Sequence, residues 1–125
     1  MHPNPIQNVA QIGIPVRNIE RATDFYKEKL GLTLLFNTDT MAFFDCEGVR
    51  LMLSLPENER FAHPSSVIYF KVEDLTAKYE ELLSNDVNFV GEPHVVAKIS
   101  HTETWMVFFK DTEDNTHAFM SEVTF

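Results

Sequence analysis

The sequence predicts an α+β domain made of two βαβββ modules. Three observations carry this. Apolar residues recur at period two, then at helical spacing, then in three more period-two runs, and the whole order occurs twice. The two halves align without gaps where they open, Ile12-Gly-Ile-Pro-Val-Arg-Asn-Ile19 against Ile68-Tyr-Phe-Lys-Val-Glu-Asp-Leu75. Later, Met41-Ala-Phe-Phe44 matches Met106-Val-Phe-Phe109. Neither half has enough strands to bury both faces of its sheet, so the halves are expected to share one core.

The first strand is expected over Val9–Val16, where Ile12, Ile14 and Val16 alternate with Gln11, Gly13 and Pro15. Asn18 has the chemistry of a helix N-cap, and Ile19, Ala22, Phe25, Tyr26 and Leu30 follow at helical spacing up to the stop at Gly31. Strands are expected at Thr33–Asn37, Thr40–Cys46 and Val49–Leu55, with a tight turn at Glu47-Gly48. Pro56, Asn58 and Pro64 mark a linker through Ser65. The second half repeats the plan. It has a strand at Ser66–Val72, then a helix capped by Asp74 that carries Leu75, Tyr79, Leu82 and Leu83. Strands follow at Val90–Ile99, Thr104–Lys110 and Thr116–Val123, with Asp111–Asn115 as the last turn. Module one thus covers about 6–56, the linker 57–65 and module two 66–125 of a single domain.

At 125 residues and 44% apolar content the chain can bury a real core. Nineteen acidic against ten basic residues give a net charge of −9. That sign repels phosphate backbones and anionic membrane surfaces, so nucleic acid and membrane are not expected partners. The single cysteine, Cys46, can form neither an intrachain disulfide nor a cysteine-based zinc site. No stretch resembles a signal peptide or a membrane span, so the expected location is cytoplasmic.

Three stretches resemble the vicinal oxygen chelate superfamily, the glyoxalase/bleomycin-resistance/dioxygenase fold. They are Ile12-Gly-Ile-Pro-Val-Arg-Asn-Ile-Glu-Arg-Ala-Thr-Asp-Phe-Tyr-Lys-Glu-Lys-Leu-Gly31, Val72-Glu-Asp-Leu75, and Phe108-Phe-Lys-Asp-Thr-Glu-Asp-Asn115. The last resembles the family hairpin F-x-D-P-(D/E)-G-N, with Thr112 for proline and Asp114 for glycine. The resemblance covers essentially the whole chain. It implies curved mixed sheets forming an open cup, a homodimer, and in the family's enzymes a divalent metal at the cup floor.

The family's metal ligands come from four strand positions holding His, Gln or Glu. Carried over, they fall on Gln11, Met52, Val67 and Ala118. A thioether is a poor ligand for a hard divalent ion and an alkyl group is none. No metal centre is therefore expected. Strand parity sends Gln11, Gly13, Val67, Tyr69 and Lys71 to the cup and Ile12, Ile14, Ile68, Phe70 and Val72 beneath the helices. His117, beside Ala118, should face the helix side.

His101 and Glu103 project together beside Trp105, either as a general-base pair or half an unorthodox metal site, or as an exposed strand edge with an incidental ion pair. His94 could line the cup rim or sit in a turn; His63 and His2 are assigned no role. Asp45 and Glu47 should raise the Cys46 thiol pKa and keep it unreactive. Arg50 and Lys71 have cup-facing parity and could hold an anionic group or be solvated. The expected cup is Gln11, Arg50, Met52, Val67, Tyr69, Trp105, Ala118 and Met120.

Two functions follow. The first is a small-molecule-binding protein, resembling the bleomycin-resistance branch, that sequesters an apolar or cationic ligand without metal or turnover. The second is a glyoxalase-like lyase, isomerase or dioxygenase, with a divalent metal held by Gln11 and His101, Glu103 or His117, or with His101 as acid–base without metal. A plainer third is an accessory domain whose cup is filled by its own side chains.

Overall fold

The computed structural model describes residues 3–125, apart from the side chain of Phe61; His2 lies outside the described residues. The strands are β1 (Gln11–Pro15), β2 (Thr33–Asn37), β3 (Met41–Cys46), β4 (Val49–Ser54), β5 (Tyr69–Lys71), β6 (Asn88–Ile99), β7 (Thr102–Lys110) and β8 (Thr116–Thr124). The helices are α1 (Ile19–Asp24) and α2 (Leu75–Leu83). Two four-stranded mixed sheets result, in the order β1-β4-β3-β2 and β5-β8-β7-β6, the same connection used twice. In each, the first strand runs parallel to the last and the remaining pairings are antiparallel.

Local chemistry explains the boundaries. Asn18 Oδ1 accepts the Arg21 N–H at 3.0 Å and Asp74 Oδ1 that of Ala77 at 3.0 Å, so both helices start at side-chain caps. The first helix is not α-helical to its end. Phe25–Lys29 form a π-helical turn, in which the Leu30 N–H reaches the Phe25 carbonyl at 3.1 Å. Phe25 and Tyr26 are both buried in that wider turn. Glu47 (φ 48°) and Gly48 (φ 92°) give the two left-handed residues of a hairpin turn whose twist suits the flanking strands.

β5 is shorter than the Ser66–Val72 run suggested. The Ile68 N–H goes to His117 Nδ1 at 3.2 Å rather than to a strand carbonyl, so the ladder begins only at Tyr69. β6 begins earlier than the pattern suggested and passes through Pro93. It tolerates the proline because it is an edge strand whose register breaks between Val90 and His94, with Gly91 at φ 88°.

The alternating apolar residues of both sheets meet in one core. Ile14, Ala42, Phe44, Leu51 and Leu53 of the N-terminal sheet belong to the same buried cluster as Val107, Phe109 and Phe119 of the C-terminal sheet. Polar contacts also join the halves. Glu113 accepts the backbone N–H groups of Arg17 and Asn18 and pairs with the Arg21 guanidinium at 2.6 Å. Burial opposes ionisation of Glu113, but those hydrogen bonds outweigh it and hold its pKa below the ordinary carboxylate value. Among the described residues, no helix is long and apolar enough to cross a membrane.

Candidate functional site

The faces of the sheets turned away from the core carry the site. On the N-terminal sheet, Gln11 lies opposite Arg50, Gly13 opposite Met52, and Phe43 opposite Met52 on the other side. Parity puts this set on one surface, because the intervening Ile14, Leu51, Phe44 and Ala42 are buried. Gln11 Oε1 accepts from Arg50 Nε at 2.9 Å, and Gln11 Nε2 donates to Met52 Sδ at 3.6 Å. The Arg50 guanidinium carbon sits 5.8 Å from the Phe43 ring centroid. Phe36 stacks on Phe43 with centroids 4.6 Å apart.

A cavity of about 600 Å³ opens beside this surface, lined by Gly13, Met41, Met52, Ser54, Leu55 and His63 among others. The volume suits a small organic molecule. Every residue lining it belongs to the N-terminal module or the segment after it. Gly13 faces the cavity as strand parity predicts; the part of the site that sequence reasoning missed is Met41 and His63. His63 was assigned no role because it lies in a linker, yet that linker folds back over the sheet. The same alternation, applied to β3, would have flagged Met41, which shares the face of Phe43.

The C-terminal sheet presents a matching surface. Tyr69 lies opposite Ala118, Lys71 opposite Met120, Met106 opposite Met120, and Phe108 opposite Ala118. Tyr69 and Phe108 meet edge to face, with centroids 6.4 Å apart. Val67 and Tyr69 are exposed, whereas Ala118 is fully buried. Lys71 has no hydrogen bond or ion pair among the described residues. All four methionines after Met1 (Met41, Met52, Met106 and Met120) thus lie on these two faces. Val67, Tyr69, Ala118 and Met120 do not line the cavity that contains Met52.

Trp105 is not on this surface, a correction to the expected cup. It has the parity of the buried Val107 and Phe109 and packs against the core. Its indole N–H donates to Glu103 Oε1 at 3.3 Å, and Glu103 also pairs with Lys98 at 3.3 Å. Glu103 is therefore committed to its own strand edge, and His101 sits in the exposed turn before β7, bonded through its backbone carbonyl to the Phe125 N–H. His94 is a strand residue opposite Met106, its ring centroid 6.3 Å from that of Phe108.

His117 is fully buried, on the helix side. Its Nδ1 accepts from Ile68 N–H, so a neutral ring carries its proton on Nε2, 3.0 Å from Tyr26 Oη. Tyr26 in turn donates to Asp111 Oδ2 at 2.6 Å. Burial lowers the His117 pKa, and Asp111 opposes this in part. The unfolded chain takes up a proton near the ordinary value of 6.5 while the folded chain does not, so stability falls as pH drops below that value. The loss should approach about 1.4 kcal/mol per pH unit until the folded-state pKa is reached. Urea unfolding at pH 7.5, 6 and 5 should show this slope in excess of that of His117→Asn. Equal slopes would refute the neutral assignment.

Burial, then Asp45 and Glu47, push the Cys46 thiol pKa up, which leaves it unreactive. The residues at the family's metal positions do not fit a hard divalent ion. The Gln11 amide is occupied by Arg50 and Met52, and Val67 and Ala118 carry no donor. Among the described residues, no group of three or more His, Cys, Asp or Glu side chains could hold an ion.

Two repeated mixed sheets, each packed on its own helix, with an open cavity on the face turned from the core define the paired βαβββ class of α+β protein. Residues 8–119 match the family model described as Glyoxalase/Bleomycin resistance protein/Dioxygenase superfamily, and the chain belongs to that superfamily. Virulence protein STM3117 from Salmonella typhimurium superposes with a TM-score of 0.79 at 17% identity, covering 95% of this chain and 99% of that one. Lactoylglutathione lyase from Agrobacterium tumefaciens gives 0.74 at 15% identity over 94% and 95%. Both likenesses show the fold alone. The metallothiol transferase FosB of Staphylococcus haemolyticus is 27% identical over 90 residues. That match covers 68% of this chain and 65% of the transferase's own length.

Proposed function

We propose that this chain binds and sequesters a small organic molecule in its cup, without the metal centre of the superfamily's enzymes. The observation that carries this is a cavity of about 600 Å³ lined largely by aliphatic groups and the Met41 and Met52 thioethers, with Thr40, Ser54, Glu57 and His63 as its polar members; of the family's four metal positions only Met52 reaches it, and a thioether is a poor ligand for a hard ion. Methionine thioethers suit an apolar, irregular ligand because they are flexible and polarisable. The net charge of −9 would draw a cation toward the molecule at long range. Arg50 lies beside Phe43 on the adjoining surface, outside the cavity lining, where it opposes a cation and favours a largely apolar ligand, with or without an anionic substituent. A homodimer fits this proposal. The two outer faces carry exposed apolar residues, among them Phe36 and Tyr69, and a second copy could close one face over the other.

Native mass spectrometry of protein purified from its own cell extract tests the proposal. A dimer carrying an organic molecule and no stoichiometric metal supports it. Stoichiometric zinc, nickel, manganese or iron that disappears in Gln11→Ala would overturn it in favour of a metalloenzyme.

A further inference from the structure

We infer that the N-terminal floor recognises a planar aromatic acid, with Arg50 forking onto the anionic group and the Phe43–Phe36 pair carrying the ring. This deepens the ligand-binding proposal above and rests on it. Arg50 is placed rather than loose. Its Nε is held by Gln11 Oε1 at 2.9 Å, and its guanidinium lies 5.8 Å from the Phe43 centroid. Binding through Nε leaves both terminal nitrogens free, and these form the edge that grips a carboxylate in two parallel hydrogen bonds.

Among the described residues no carboxylate takes that edge. Among the described residues Arg21, Lys27, Lys78, Lys98 and Lys110 each have an acidic partner within 4.0 Å; Arg50, like Arg17, Lys29 and Lys71, has none, and of these it is the one held by both an amide and a ring. The nearest by register is Asp45, directly across the strand, and its Oδ1 accepts the Gly48 N–H at 3.4 Å instead. In a chain with nineteen acids, an arginine fixed by an amide and a ring yet unmatched by a carboxylate points outward for its anion. Lys71, by contrast, has no contact that would position it.

The ring specificity comes from the platform. Phe36 is 56% exposed and stacks nearly parallel on Phe43, 22° between planes, presenting a flat apolar surface next to the guanidinium. Met52, opposite Phe43, leads from that surface into the cavity. A monoanion fits a single guanidinium, whereas a phosphate dianion would leave charge unpaired.

The test compares 2-naphthoate, 2-naphthamide and 2-naphthylmethylamine by calorimetric titration of the full chain at low salt. The carboxylate should bind at least tenfold tighter than the amide, and the amine most weakly. Arg50→Met should bring carboxylate and amide within about twofold, Arg50→Lys should keep part of the preference, and Asp45→Asn should enlarge it. Urea midpoints of the variants check folding. Equal affinity for acid and amide, or a preference that survives Arg50→Met, overturns the anion inference and leaves cavity binding standing. No binding by any of the three at millimolar concentration overturns the aromatic-acid inference, while the native mass spectrometry above decides the ligand-binding proposal separately.

Discussion

Asp111→Ala is expected to lower unfolding free energy by about 3 kcal/mol or more, a large share of the roughly 5–15 kcal/mol available to a domain. The carboxylate is a four-fold acceptor. Oδ1 takes the backbone N–H groups of Glu113 and Asn115, both at 2.8 Å, and Oδ2 takes Tyr26 Oη at 2.6 Å and Asn115 Nδ2 at 3.0 Å. Its side chain is fully buried, and its ion-pair contact among the described residues is His117, 4.0 Å away, whose pKa burial lowers. The negative charge is therefore stabilised by donors rather than by a cation, and its removal leaves those donors without water. Asp111→Asn should cost less, since one oxygen remains, but it sets an amide N–H against that of Asn115. Tyr26→Phe should cost least, about 1–2 kcal/mol, because it deprives only one oxygen and the His117 N–H. Equilibrium urea unfolding ranks the three. An Asp111→Ala midpoint within error of the parent would show that the network does not hold the two halves together.

The same residues show what the sequence made legible. Period-two and period-3.6 patterns act over a few neighbours, so they located every strand and both helices, and they placed Gln11, Arg50 and Met52 on one face. They also placed His117 inward, which its full burial matches. What they could not encode is long-range hydrogen bonding. Ile68 looks like a strand residue, yet its N–H is taken by a histidine 49 positions away, and β5 shortens accordingly. Trp105 is expected in the cup as an aromatic next to His101 and Glu103, although its parity with Val107 and Phe109 points to the core, where it packs. His63 was missed for a different reason. Linkers have no periodicity, and only the folded path of Pro56–Ser65 brings it to the cavity.

Gly13→Leu should abolish binding in the cup while leaving the fold as stable as the parent or slightly more so. Gly13 is on the outer face of β1, opposite Met52, and borders the cavity. Its backbone is not in the left-handed region, and a Cβ built there meets only Met52 Cε, at 3.8 Å, an ordinary contact. A side chain can therefore be added without strain, and a glycine in a strand costs about 0.5–1 kcal/mol relative to alanine, which the substitution would recover. The new isobutyl group has nowhere to go but the space a ligand would use. For 2-naphthoate, or any molecule found bound to the native protein, affinity should drop at least tenfold, about 1.4 kcal/mol. Gly13→Ala, with a single methyl, should weaken binding far less. Because stability and binding are expected to move in opposite directions, a loss of affinity cannot be blamed on unfolding. Undiminished binding in a well-folded Gly13→Leu protein would move the ligand out of this cavity. It would then have to be sought on the face carrying Tyr69, Phe108 and Met120.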